Sequence, residues 1–198
     1  TNHNRILITD MDGNVTDVIG TGQEGMDNGK FDKATFHHPQ GITLFQQFLF
    51  IADTDNSLIR RADLNMRAVH TVAGVDNKKS TFITTKKRPP VPLNSPKDVT
   101  MFLDKSLFVA MAGAHQIWLL DICGNFISPY AGSQTEGIVD GPRMEAQLIQ
   151  PCGIQSDGTQ LYFADSEASA IRKVGTDLES ARVETVVGSG QNGNGDEV

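Results

Sequence analysis

Aspartates occupy matching places along the chain, where a carboxylate could take part in catalysis or metal binding. Asp53 and Asp165 each end a run of apolar residues and open a polar segment. A carboxylate in such a place can bind a hard cation, act in acid–base catalysis or accept backbone N–H bonds within a turn. No DxDxDG-type loop is present. Because a repeated aspartate is most simply explained by a repeated turn, we predict that both carboxylates stabilise turns.

Histidines are the other candidates for catalysis or metal binding. None of the five lies at HxH or HxxxH spacing, and the sequence contains neither a GxSxG motif nor a P-loop. The expectation is therefore that the chain has no catalytic residue, no cofactor and no metal ligand. A hydrolase or lyase with a metal in a central channel is an alternative that the residues leave open. The histidines are His3, His37, His38, His70 and His115.

Residues next to the repeated turns are candidates for binding a partner, because loops on a rigid scaffold commonly carry function. The most distinctive stretch joins His115 and Gln116 to Trp118, after three small residues. Replacing His115 and Gln116 by alanine is expected to weaken the binding of a partner and to leave thermal stability nearly unchanged. The candidate residues are Asp55, Asn56, Gly113, His115, Gln116 and Glu167.

Four similar phrases show which elements must position these residues. The phrases are RILITD, LIRRAD, QIWLLD and AIRKVG, and each has an isoleucine at the matching place. By subtraction, these isoleucines lie 53, 58 and 54 residues apart. A period of this size indicates stacked supersecondary units. The matching residues are Ile6, Ile59, Ile117 and Ile171.

Each unit contains four short apolar or β-branched runs, bounded by Gly, Asp or Asn. Runs of this length predict strands, and four antiparallel strands per repeat are typical of a β-propeller blade. We therefore predict an all-β propeller segment of about three and a half four-stranded blades, with fourteen strands. The predicted units are a half blade at 1–22, blades at 36–76, 94–133 and 148–190, and a basic insertion at 77–93.

The half blade indicates a larger ring. Propellers have four to eight blades, so three and a half blades are expected to belong to a ring of six blades or a similar number. The remaining blades would come from the same parent protein or from a second copy of the chain.

Composition excludes some classes of partner. The net charge of −7 over 198 residues argues against general nucleic-acid binding, which needs clustered Lys and Arg. The basic insertion 77–93 is a local exception and leaves an RNA-binding propeller as a second alternative. No stretch approaches the roughly 18 to 20 apolar residues of a membrane span. Cys123 and Cys152 lie in different predicted blades and are expected to be free thiols.

The opening Pro39–Ile42, followed two strands later by Ala52–Arg60, resembles the NHL repeat, a propeller-forming motif. Within that class, the stretch Val109–Trp118 resembles a stretch found in a family whose members join a thioredoxin-like domain to an NHL propeller. The resemblance implies a thioredoxin-like domain upstream in the parent protein, and a place in the cytosol or an organelle lumen. The function expected is a non-catalytic scaffold for protein–protein interaction, of unknown partner.

Overall fold

The computed structural model describes residues 3–75, 91–122 and 126–188. This part of the chain is nearly all β, with three single 3₁₀ turns at Thr54–Asn56, Ala112–Ala114 and Ser166–Ala168. The strands are β1 (Ile6–Thr9), β2 (Val15–Ile19), β3 (Gly29–Lys30), β4 (Pro39–Phe45), β5 (Phe48–Asp53), β6 (Leu58–Asp63), β7 (Ala68–Ala73), β8 (Pro96–Phe102), β9 (Ser106–Met111), β10 (Gln116–Asp121), β11 (Phe126–Ala131), β12 (Gly141–Pro142), β13 (Pro151–Ser156), β14 (Gln160–Asp165), β15 (Ala170–Gly175) and β16 (Arg182–Val187).

The strands form four antiparallel sheets, which are the half blade and three blades. The half blade pairs β1 with β2, the second blade is ordered β3-β7-β6-β5-β4, and the third β8-β9-β10-β11. The fourth blade is ordered β12-β16-β15-β14-β13. The predicted all-β architecture of repeated antiparallel sheets is confirmed. β3 and β12 add a fifth strand to two blades, and a strand of two residues leaves no pattern in the sequence.

The blades are arranged side by side, and the first strands β4, β8 and β13 are neighbours in that order. Each hydrophobic core lies between two successive blades. Ile19 of the half blade packs with Phe36 and Ile51 at the first junction. Ala52 and Trp118 belong to the core of the second junction. Because the cores lie between sheets, each blade is stabilised mainly by its neighbours.

A left-handed residue precedes the third strand of each blade, and in two of the blades its side chain accepts a hydrogen bond from the next blade. Asn4 and His115 occupy this position before β1 and β10, with φ of 47° and 54°. The Asn4 Oδ1 accepts a hydrogen bond of 2.9 Å from the backbone N–H of His38. In the same way, the His115 Nδ1 accepts one of 3.3 Å from the N–H of Gln150. These bonds hold in place the residues before two of the blade-opening prolines, Pro39 and Pro151.

Several predicted features lie outside the described residues. Residues 77–90 of the basic insertion 77–93 belong to this group, as does Cys123. Cys152 is a free thiol on β13. No helix in the described ranges is long and apolar enough to cross a membrane.

Candidate functional site

A buried ion pair connects the second and third strands of the second blade. The Oδ2 of Asp53 accepts a hydrogen bond of 2.8 Å from the Nη1 of Arg60, and both side chains are 0% exposed. The same guanidinium donates to the carbonyls of Thr35 and Asp27 in the preceding linker. The Oδ1 of Asp53 accepts from the backbone N–H of His37. The pair therefore connects two strands of the blade to the linker that enters it.

The fourth blade repeats this arrangement. The Asp165 Oδ2 and the Arg172 Nη1 lie 2.9 Å apart, again with both side chains fully buried. Arg172 donates to the carbonyls of Gln147 and Val139, while the Asp165 Oδ1 accepts from the N–H of Ile149. Asp53 and Asp165 thus lie in matching structural positions. Each Oδ1 accepts its bond from a residue sixteen positions earlier, and neither side chain caps its own 3₁₀ turn.

Burial raises the pKa of both Asp53 and Asp165, and the neighbouring arginines oppose this rise. A carboxylate with two or more donors and no exposed surface has no access for a substrate. A buried pair of this kind costs desolvation free energy and, when one partner is removed, leaves an uncompensated charge. We therefore assign both aspartates to the framework that supports the turns.

The third blade has no aspartate or arginine at these two positions. Met111 occupies the place of the aspartate, and its Sδ accepts the N–H of Asn94 at 3.4 Å. Trp118 occupies the place of the arginine and donates from its Nε1 to the Gln116 Oε1 at 2.9 Å. The Gln116 Nε2 donates to the carbonyl of Gly132 at 2.7 Å. In the third blade, Met111 and Trp118 thus take the place of the ion pair, and the Gln116 side-chain amide is hydrogen-bonded beside them.

The three 3₁₀ turns lie at the same end of their blades, which we call the turn face. Each turn connects a second strand to a third strand, and the linkers between blades run beside it. The N–H of Asp55 donates to the carbonyl of His37 at 3.2 Å, and the N–H of Glu167 donates to that of Ile149 at 3.4 Å. Backbone bonds of this kind fix the turns and leave the tips available for contacts.

The six predicted binding residues are not equally accessible. Asp55 and Glu167 are exposed on the turn face. Asn56 is partly buried, because its Nδ2 donates to the carbonyl of Gly25 and to Asp53. Gly113 lies against Asn94, whose Nδ2 donates to its carbonyl at 2.7 Å.

His115 and Gln116 have mainly structural surroundings. His115 bridges two blades, and its Nε2 lies 3.3 Å from the Glu136 Oε1. Gln116 is only 1% exposed, so its amide contacts the interior of the blade and cannot reach a partner in this structure. Its replacement by alanine is therefore expected to reduce stability, in contrast to the expectation from the sequence.

A group of four ionisable side chains lies at the junction of the half blade and the second blade. His37 Nε2 lies 3.7 Å from the Glu24 Oε2 and 3.9 Å from the Asp55 Oδ2. His38 Nδ1 lies 2.5 Å from the same Asp55 oxygen. We call these residues the histidine cluster. The spacing of residues in the sequence does not predict this cluster, because its members come from three separate segments. The adjacent pair His37 and His38 is the one feature of the sequence that points to it.

The chain is similar to two groups of known proteins. Bovine NHL repeat-containing protein 2 (Bos taurus) is 34% identical over 212 aligned residues, which cover 95% of this chain and 29% of that protein. SUPPRESSOR OF QUENCHING 1, chloroplastic, of Arabidopsis thaliana is 35% identical over 175 residues, covering 85% of this chain and 17% of that protein. The chain thus spans less than a third of the length of these relatives. No family model matches it.

Solved structures agree with the fold. Virginiamycin B lyase from Staphylococcus aureus superposes with a TM-score of 0.60 at 17% identity, covering 96% of this chain and 51% of that one. A chain from the crystal structure of a nidogen/laminin complex gives a TM-score of 0.55 at 15% identity, covering 93% of this chain and 59% of that one. At such identities the likeness concerns the fold alone. The sheets, the repeats and these similarities identify the chain as a β-propeller segment that is similar to NHL repeat-containing protein 2 and SUPPRESSOR OF QUENCHING 1.

Proposed function

We propose that the chain is a non-catalytic scaffold whose turn face binds a protein partner. The observation that carries this proposal is that the three 3₁₀ turns share one backbone conformation and differ at their tips. Each turn ends at a left-handed residue whose N–H donates to the first residue of the turn. The middle residue, in contrast, is Asp55, Gly113 or Glu167. A constant framework with variable tips is the arrangement expected of a recognition surface.

Charge on the turn face supports a partner with a basic surface. The side chains of Glu24 and Glu136 are 66% and 68% exposed, and that of Asp55 is 41% exposed. Glu167 adds a fourth exposed carboxylate. Charges arranged in this way increase the rate of encounter and the specificity of binding to a surface of opposite sign.

A site-specific cross-linking experiment tests this proposal. A photo-reactive amino acid would be placed at Glu167 on the turn face and, as a matched control, at Glu179. Glu179 is also exposed but lies in the loop between β15 and β16, at the opposite end of the fourth blade. The partner should cross-link from position 167 and not from 179. The purified partner should then bind Glu167→Arg at least tenfold more weakly than Glu179→Arg. Equal cross-linking from both positions, or equal affinity of both variants, would contradict the proposal.

We also propose that further blades of the parent protein cover the two outer blades. Leu7 and Val15 of the half blade are 48% and 55% exposed, and Val186 and Val187 of β16 are 51% and 61% exposed. Apolar surface at both outer blades supports a larger ring, of six blades or a similar number. Sedimentation of this chain tests the rival arrangement, since a stable dimer would favour a second copy as the covering partner.

The resemblance to the thioredoxin-like/NHL family extends the proposal to the parent protein. In the parent protein, the propeller would hold an attached thioredoxin-like domain in position. Sequencing the parent transcript on both sides of this segment tests the idea, since the absence of a thioredoxin-like domain would remove its basis.

A further inference from the structure

The histidine cluster brings together side chains of the types that bind transition metals. Imidazole nitrogens and a carboxylate suit Zn²⁺ and similar divalent ions. One ligand atom from each of Glu24, His37 and His38 lies within 4.8 Å of the other two. We propose that these three residues bind a divalent transition-metal ion on the turn face, with Zn²⁺ as the ion tested.

One of the three ligand–ligand distances is close to the value for a tetrahedral site, and the other two are within 4.8 Å, so binding requires the side chains to move closer together. With bonds of about 2.0–2.1 Å to Zn²⁺, ligand atoms lie about 3.3 Å apart. The His37 Nε2 and the Glu24 Oε2 are 3.7 Å apart, so this pair needs to move only about 0.4 Å closer. The Glu24 side chain is two-thirds exposed and can adjust.

Asp55 has a second role in this site. Its Oδ2 lies 2.5 Å from the Nδ1 of His38, so in the proposed site that ring would bind the ion through its other nitrogen, Nε2. A carboxylate that accepts from the far nitrogen of a ligating histidine selects the tautomer and raises the basicity of the ring. The site would therefore have three protein ligands and one position open to water or to a partner's side chain.

The backbone around the cluster is fixed before any ion binds. The N–H of His37 donates to the buried Asp53, and the N–H of His38 donates to Asn4 at 2.9 Å. The N–H of Asp55 donates to the carbonyl of His37. The backbone of Glu24 pairs with that of Phe36 in an isolated parallel β-bridge. A ligand set held on a rigid framework loses little conformational entropy on binding.

The junction of the third and fourth blades is an internal comparison. Glu136 occupies the place of Glu24, and its backbone pairs with that of Leu148 in the equivalent isolated β-bridge. Ile149 and Gln150 occupy the places of the two histidines, and the same backbone bonds to Asp165 and His115 are present. Because this junction forms without a histidine pair, His37 and His38 are not required by the fold.

Metal titration of the full chain tests the proposal. Tag-free protein would be treated with a chelator, dialysed and titrated with Zn²⁺ by calorimetry, and with Co²⁺ by visible absorption. We expect one equivalent to bind with a micromolar or lower Kd, and a Co²⁺ spectrum typical of tetrahedral N/O coordination. Zn²⁺ should also raise the Tm.

Variants of the two ligands decide whether the cluster is the site. His37→Gln and His38→Asn should each lower the affinity at least tenfold, and asparagine tolerates the left-handed backbone at position 38, where φ is 45°. His70→Gln, on the exposed side of β7, is the matched control and should bind like the unmodified chain. The absence of saturable binding to the unmodified chain would overturn the proposal. Unchanged affinity in both cluster variants, with Tm values showing that they are folded, would do the same.

Discussion

Met111 and Trp118 occupy, in the third blade, the two positions that an aspartate and an arginine occupy in the second and fourth blades. The Met111 Sδ accepts the N–H of Asn94, as the Oδ1 of Asp53 accepts the N–H of His37. One fold thus contains a buried ion pair and an apolar pair at the same place. Their energies can therefore be compared within a single molecule.

Restoring the ion pair in the third blade is expected to show energetic coupling. Met111→Asp alone would bury a carboxylate without a cation and should cost about 3 kcal/mol or more. Trp118→Arg alone would bury a guanidinium without a carboxylate. The double variant should be more stable than the sum of the two changes by at least about 1 kcal/mol. Urea denaturation of all four proteins measures this coupling.

Met111→Leu is the control for this cycle, because a swap of similar volume typically costs less than about 1.5 kcal/mol. Strictly additive effects of the two charged substitutions would show that the third blade cannot form the pair.

Removing the arginine of the fourth blade should make stability depend on pH. Arg172→Met leaves Asp165 buried without its cation, at a cost of about 3–5 kcal/mol near pH 7. Burial already raises the pKa of Asp165, and loss of the guanidinium would raise it further. The folded state would then bind a proton more readily than the unfolded state. Stability should therefore fall as pH rises from the unfolded value, about 4, towards the raised folded value.

Thermal denaturation between pH 4 and pH 7 checks this sign. The Tm difference between Arg172→Met and the unmodified chain should be smallest at the acidic end. A difference that grows on acidification would contradict the assignment.

Gln116→Ala should destabilise the third blade. The substitution removes the acceptor of the Trp118 Nε1 and the donor to the carbonyl of Gly132. Two buried polar groups would lose their partner, and each such loss costs about 1–3 kcal/mol. Gln116→Glu serves as a second variant, because it keeps the acceptor and loses the donor. Denaturation midpoints equal to that of the unmodified chain would show that solvent replaces both bonds.

Gly74 is expected to tolerate no side chain. It follows the fourth strand of the second blade with a φ of 105°, and an added Cβ would lie 2.5 Å from the carbonyl oxygen of Ser57. Gly74→Ala should therefore cost more than the roughly 1 kcal/mol of left-handed strain alone. Gly153→Ala is the matched control, because its φ is not positive and the nearest atom would lie 4.0 Å away. Equal Tm values for the two variants would contradict this prediction.

Fourteen of the sixteen strands of the described residues, the blade order and the propeller class could be predicted from the sequence alone. These features depend on local patterns, which are short apolar runs between turn residues, and on a period of 53 to 58 residues. Asp53 and Asp165 stood out for the same reason, since a repeated residue marks a repeated structural position.

Which of these residues are accessible, and which lie close together, depends on how the blades pack. Gln116 looked like a surface residue because it follows a turn, yet the inter-strand packing buries its amide. The histidine cluster draws Glu24, His37, His38 and Asp55 from a linker, a strand entry and a turn, which no spacing rule connects. Their proximity results from the stacking of one blade on the next. Contacts of that kind are set by the packing of whole sheets, so no local pattern in the sequence records them.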